Sequence, residues 1–207
     1  MTGGKRDFLR KIIMIPTPTY SEETLMGTTQ RDIFSKLLSD RNIMLFDQID
    51  DNVACVVISQ LMFLEAADPD KDITIFINSP GGIVSSGLAI YDVIKHLKCD
   101  VSTVCVGRAA SMGAFLLSAG TKGKRYSMQD SSIMIHQALG GIQFGQATDV
   151  QIQAENLIFT KKQLNRLLAK TTGRSIEEIE KDTERDFYMT PEEAVKYGLI
   201  DEVIIDE

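Results

Sequence analysis

Ser111 stands in the run Ala109, Ala110, Ser111, Met112, Gly113, where a strand-like segment gives way to a helical one. This approximates the G-x-S-x-G nucleophile elbow with Ala in place of the first Gly. Small neighbours let a substrate carbonyl approach the hydroxyl, and a helix N-terminus adds amide donors and a positive dipole end that favour an oxyanion. The same residues also suit an ordinary helix cap, so the serine carries weight only together with partners.

A serine hydroxyl needs a base to take its proton at neutral pH, and histidine is the usual one. The chain has two histidines. His96 lies in YDVIKHLKCD beside Lys95 and Lys98, on what reads as a solvated or partner-facing helix end. His136 closes an apolar strand and precedes Gln137 and a Gly-rich turn, as a base reaching toward a neighbouring strand end should. A third group must fix the imidazole tautomer, but spacing selects none of the 29 Asp and Glu residues. The glycines of NSPGG, Gly81 and Gly82, offer backbone amides that a ligand can approach, although Pro-Gly is also a common turn. These residues point to acyl transfer and leave the substrate open.

The elements that must position them follow a strand-then-helix rhythm. IFSKLL is helical, residues 43–46 are strand-like, and residues 53–67 form a helix apolar on most sides, with Asp50, Asp51 and Asn52 as cap candidates. A strand over 72–77 ends in NSPGG and leads to a helix from about Ser85 to Leu97. A second unit has a strand over 101–106, a turn at Gly107 and the buried helix AASMGAFLLSAG; a third strand covers 132–136. Such units imply a parallel sheet with right-handed crossovers, and ligands bind beyond the C-termini of its strands. All three strands end in the chemically suggestive segments NSPGG, GRAASMG and HQALGG.

The later chain is helical. Thr148 with Gln151 predicts a capping box for a long helix whose stripe is Val150, Ala154, Leu157, Ile158, Leu164 and Leu168, closed by Gly173. Ser175 with Glu178 and Thr190-Pro191 with Glu193 open two more, before a closing strand LIDEVII. Residues 1–31 show no sustained period and read as a flexible arm ahead of a single domain over 32–207.

Composition excludes several classes. With 22 Lys and Arg against 29 Asp and Glu, the net charge of −7 gives no basis for general attraction to nucleic acid phosphates or anionic membranes. No apolar run reaches the roughly 18 residues of a membrane span, and IIMIP after the basic start is too short for a secretory signal. Cys55, Cys99 and Cys105 are odd in number and lack metal-site spacing, which predicts buried thiols and a reducing, cytoplasmic setting.

INSPGGIVSSGLAIYDVI, GRAASMGAFLLSAGTKGKRY, IMIHQALGG and ERDFYMTPEEAVKYGLID occur in order and closely resemble the proteolytic subunit of the Clp protease, from about Asp32 to Ile204. The resemblance implies an α/β fold of repeated ββα units forming a parallel-sheet spiral, as in crotonases, with a protruding helical handle over about 141–172. It implies Ser111 as nucleophile, His136 as base and Asp186 as the third triad member. Gly82 and Met112 would give the oxyanion-hole amides, while Ile83, Val84, Gln137, Ala138 and Leu139 would flank an extended peptide. It further implies two stacked seven-membered rings, with Gln146, Asp149, Glu184 and Arg185 at the ring-to-ring contact. A ClpX-, ClpA- or ClpC-like AAA+ unfoldase would dock near Met62, Phe63, Phe76 and Tyr126 and use the ATP, while the peptidase itself would need no cofactor or metal.

Four departures from the family pattern point to a divergent paralogue working beside a second peptidase subunit. Ala138 replaces the usual proline, Gly141 to Gly145 is one residue longer, MGTTQRDIF replaces the usual arm segment, and Thr74 replaces an aromatic residue. Two rival functions stay open. An enoyl-CoA hydratase or isomerase would share the spiral and the paired amides, and a non-catalytic subunit would only complete a mixed ring.

Overall fold

The computed structural model describes residues 17–24, 27–140 and 145–205. The chain divides into two compact units, Met1–Asp40 and Arg41–Glu207. In the first, strands β1 (Thr19–Thr24) and β2 (Gly27–Asp32) pair antiparallel, with Thr19 opposite Asp32 and Thr24 opposite Gly27. Gly27 supplies the positive φ of 120° at the turn. Where the sequence predicts a flexible arm, residues 19–24 and 27–32 therefore form an antiparallel strand pair. Its ladder is made by main-chain groups, and TYSEET and GTTQRD carry no apolar alternation that could announce it. Helix α1 (Ile33–Ser39) follows, capped by Asp32 accepting from the Ser35 N–H at 2.9 Å. The rest of the predicted arm, residues 1–16, lies outside the described residues, as does Met26 of its atypical segment.

The second unit is α/β with a mostly parallel sheet, in keeping with the sequence. Strand β3 (Asn42–Leu45) leads through helix α2 (Asp51–Ala67) to β4 (Ile73–Ser79), then through α3 (Val84–His96) to β5 (Val101–Ala110) and through α4 (Met112–Ser118) to β6 (Arg125–Met128). Strand β7 (Ser132–Ile135) follows at once, then α5 (Ala147–Thr172), α6 (Ile176–Asp182), β8 (Phe187–Met189), α7 (Pro191–Tyr197) and β9 (Glu202–Ile204). The main order is β3-β4-β5-β6-β9, all parallel; β7 pairs parallel with β5, and β8 pairs antiparallel with β7.

Strand β5 is the organiser. Its first half, Thr103 to Cys105, pairs with β6, whereas Arg108 to Ala110 pairs with β7. The sequence predicts a turn at Gly107 and a helix from Ala109; instead the strand runs through Gly107, whose φ of 81° redirects it, and the helix begins at Met112. The Gly107 N–H donates to Ser131 Oγ at 3.0 Å, so the redirection is anchored where β7 starts. Every residue of α4 is buried, as its uniformly apolar sequence requires.

Burial on β4 alternates, with Ile73, Ile75, Ile77 and Ser79 inward. Helix α2, expected to be apolar on most sides, buries one face through Ala54, Val57, Leu61 and Leu64 and leaves Val56, Met62 and Phe63 exposed. The predicted Thr148–Gln151 capping box does not form: α5 begins after Gln146 with no side-chain cap. Only Leu164 and Leu168 of its predicted stripe are buried, and Ile158 is exposed. Gly173 does end it, in the left-handed conformation, and the capping boxes at Ser175 and Thr190 are both present. Near the last strand, buried Arg125 donates to both carboxylate oxygens of Asp201 and to the carbonyls of Thr171 and Gly198. Burial pushes the Asp201 carboxyl up, but the Arg125 hydrogen bonds and charge outweigh it and hold the group below its usual range. Among the described residues, no helix is long and apolar enough to cross a membrane.

Candidate active site

The end of β5 and the start of α4 meet at Ser111. Its φ of 55° and ψ of −121° are a turn conformation that normally calls for glycine, so the residue is held in a strained backbone state at the junction. The junction is crowded by glycines that admit it. A Cβ on Gly81 would fall 2.7 Å from Ser111 Cβ and 2.8 Å from the Met112 nitrogen, and one on Gly113 would fall 2.9 Å from the Ser79 carbonyl oxygen. Close approach at this point requires glycine on both sides.

Strand pairing brings the histidine. Ala110 is opposite Met134 on β7, and the Ser111 N–H donates to the Met134 carbonyl at 2.9 Å. His136, two residues further and on the same side of the strand, then stands beside the serine. Its Nε2 lies 2.8 Å from Ser111 Oγ. The antiparallel register of β7 with β8 runs Ile133 to Met189, Met134 to Tyr188 and Ile135 to Phe187. Continued one step, it puts Asp186 opposite His136, and Asp186 Oδ1 lies 3.0 Å from His136 Nδ1. With Nδ1–H donating to the carboxylate, Nε2 is left to accept the serine proton.

A pocket of about 260 Å³ opens beside this relay, lined by Gly82, Met112, Phe115, Met134, Leu164 and Leu168 among others. Its apolar floor suits a hydrophobic side chain. A larger trough of about 730 Å³ adjoins it, sharing Gly82, Val84, Ala138 and Leu139 and also lined by Ile83. Of the residues that the resemblance would set beside an extended peptide, Ile83 and Leu139 are strongly exposed. Gln137 reaches the smaller pocket, but its side chain is turned back, donating from Nε2 to the Glu184 carbonyl at 2.9 Å.

The remaining expected residues lie elsewhere. His96 is exposed and its Nδ1 is 2.7 Å from the Asp92 carbonyl of its own helix, outside the relay. Met62 and Phe63 are exposed on α2, while Phe76 and Tyr126 are half-buried and share a cross-strand row through Val104. Gln146, Asp149, Glu184 and Arg185 are exposed, and Glu184 pairs with Lys161 of α5 at 3.2 Å. The extra residue near Gly141 to Phe144 lies outside the described residues. Among the described residues, no group of three or more His, Cys, Asp and Glu side chains could hold a metal ion. The cysteines are unpaired, Cys99 and Cys105 buried as expected and Cys55 exposed.

Several residues at the site carry no sequence signal of their own. The segment Asp47 to Ile49 pairs with the loop at Gly81 to Ile83, and Lys161 reaches Glu184 from a helix that reads only as a surface stripe. Strand β8 is too short to show a period, although its register alone fixes which acid meets His136. The family model described as Clp protease matches residues 26–207, spanning both halves of the relay, and the chain belongs to the Clp protease family.

Proposed function

We propose that this chain is a serine endopeptidase subunit that cleaves unfolded polypeptides inside a ring assembly fed by an AAA+ unfoldase. The observation that carries it is the continuous hydrogen-bonded line from Ser111 Oγ through His136 to Asp186, opening on a trough sized for an extended chain. Ser111 Oγ attacks the scissile carbonyl as its proton passes to His136 Nε2, and the carbonyl π electrons move to oxygen. The amides of Gly82 and Met112 receive that oxyanion. Collapse breaks the C–N bond, the leaving amine takes the proton from His136, and water then releases the acyl group by the same steps in reverse. Asp186 accepts from His136 Nδ1–H and stabilises the imidazolium. Backbone pairing of substrate with Ile83 to Val84 and Ala138 to Leu139 would accept many sequences.

Family membership implies a ring-forming oligomer that works with an unfoldase. The exposed Met62 and Phe63 with Phe76 and Tyr126 are the proposed docking surface, and Gln146, Asp149, Glu184 and Arg185 the proposed ring-to-ring contact. Three free cysteines agree with a reducing, cytoplasmic site of action.

A fluorophosphonate probe should label the assembled chain at Ser111, and Ser111→Ala should abolish labelling and peptide hydrolysis together. Labelling that survives Ser111→Ala would move the nucleophile. Neither labelling nor hydrolysis, alone or with an activating ring partner, would favour the non-catalytic subunit.

A further inference from the structure

The loop after β4, from Ser79 through Pro80 and Gly81 to Gly82, is fixed by a short ladder against the segment Asp47 to Ile49. The Gly81 carbonyl accepts from the Ile49 N–H at 2.9 Å, and the Ile83 N–H donates to the Ile49 carbonyl at 2.7 Å. Because the peptide unit is planar and trans, anchoring the Gly81 carbonyl on Ile49 makes the Gly82 N–H point away from Ile49. Gly82 lines the pocket that holds Ser111 and His136. The other side of Gly81 is held by one side chain. Its N–H donates to Ser79 Oγ at 3.1 Å, and the same hydroxyl donates onward to the Asp47 carbonyl at 2.7 Å.

Ser79 is 0% exposed and lines neither pocket, so its hydroxyl cannot meet substrate. It nevertheless joins the two strands that carry the site. It sits opposite Ala109 of β5, its Oγ ties the Gly81 amide to Asp47, and its carbonyl oxygen backs Gly113 one residue after Met112. Gly81 and Gly82, with φ of 91° and 155°, have the widest choice of peptide orientations of any residue type. Without an anchor on the Gly81 N–H, the loop can rotate that choice into other states.

We propose that Ser79 is a positioning residue for the oxyanion site, acting through Gly81 to hold the Gly82 amide in line with the Met112 amide. The proposal rests on the peptidase reading above. Its role is to keep one donor aimed at the place where charge develops, which matters in the transition state and little in the ground state.

Peptide hydrolysis, inhibition by a peptide aldehyde and thermal unfolding of the full assembled chain test it. The aldehyde reports the oxyanion directly. Ser111 Oγ bonds to its carbonyl carbon, the π pair moves to oxygen, and the Oγ proton goes to His136. Removing an oxyanion donor outright costs roughly a hundred- to a thousandfold, and a loosened donor costs less. Ser79→Ala should therefore lower kcat about tenfold, leave KM within about twofold and weaken the aldehyde by about the factor lost in kcat. Ser79→Cys, which keeps a small group with a weak donor and acceptor, should fall between Ser79→Ala and the unaltered chain. A kcat and aldehyde affinity unchanged in either folded variant overturn the proposal, as does a loss of thermal stability with catalysis intact. An unaltered chain without Ser111-dependent labelling overturns the peptidase reading and this proposal with it.

Discussion

Ser111 ends a strand paired on both sides, to β4 through Ser79 and Ala109 and to β7 through Met134 and Ala110, and leads into a helix with every residue buried. Asp186 stands one step outside a three-residue strand that pairs only with β7, and its side chain is 56% exposed. His136, at 14%, lies between the two. On the nucleophile side, geometry is set by close packing and main-chain ladders, which respond little to solvent. On the acid side it is set by the three-residue ladder of β8 on β7 and a few further contacts: the Gln137 N–H to the Thr183 carbonyl at 2.6 Å, Gln137 Nε2 to the Glu184 carbonyl, and Lys161 to Glu184. Ser111 is thus seated against the core, whereas Asp186 belongs to an exposed segment held by a short ladder, helix α5 and the Gln137 side chain. Changes on the two sides should thus differ in size and in their response to solvent.

The largest effect belongs to the nucleophile side. A Cβ on Gly82 would run into the Ile49 carbonyl oxygen, so Gly82→Ala must break the ladder that aims the Gly82 amide. We expect kcat/KM to fall roughly a hundredfold or more, because a 1 Å misplacement is enough for that, while circular dichroism of the folded chain is retained. A loss under about threefold would show that the cradle is softer than its packing indicates.

This division also separates what the sequence discloses from what it hides. The Ser111 side is the more legible one because NSPGG and AASMG both stand at strand ends, although each alone also suits a turn or a cap, and because a fully apolar helix must be buried. The acid side is not. Asp186 is picked out by resemblance, and in the structure by a register that β8 is too short to announce. Asp182, a nearby alternative, instead accepts from the Tyr197 hydroxyl at 3.0 Å. Ser79 reads as an ordinary turn former in NSPGG, since nothing local shows that its hydroxyl faces Asp47 across 32 residues of chain. Thr148 fails as a cap because Gln146, not Thr148, ends the extended backbone before α5.

A smaller effect comes from Gln137, the residue after His136, which ties that strand end to the acid segment. Gln137→Met keeps the stem and the main-chain bond to Thr183 but removes the donor to Glu184. One neutral hydrogen bond contributes about 0.5–1.5 kcal/mol, so kcat should fall by up to roughly tenfold with KM little changed. The decisive measurement is the double variant with Asp186→Asn. If Gln137 acts by placing Asp186, its substitution costs nothing further once the carboxylate is gone. Additive losses would assign Gln137 to substrate contact instead.

The smallest effect, and the one that best separates the two sides, is ionic. Lys161 and Glu184 meet at 3.2 Å with Glu184 58% exposed, so the pair is solvated and contributes at most about 1 kcal/mol, or roughly fivefold in rate if all of it serves to order the acid segment. Exposed pairs are screened as ionic strength rises, with a Debye length near 3 Å at about 1 M salt. Lys161→Ala should therefore slow peptide hydrolysis by up to roughly fivefold at low salt, and the gap between variant and unaltered chain should close at about 1 M. The same salt should leave the ratio between the unaltered chain and Gly82→Ala untouched, because no exposed charge takes part in that ladder. If the Lys161→Ala defect persists in high salt, the contribution of Lys161 is the packing of its aliphatic stem against the acid segment. If the Gly82→Ala ratio moves with salt, the cradle itself depends on charged groups, and the contrast between a packed nucleophile side and a polar acid side fails.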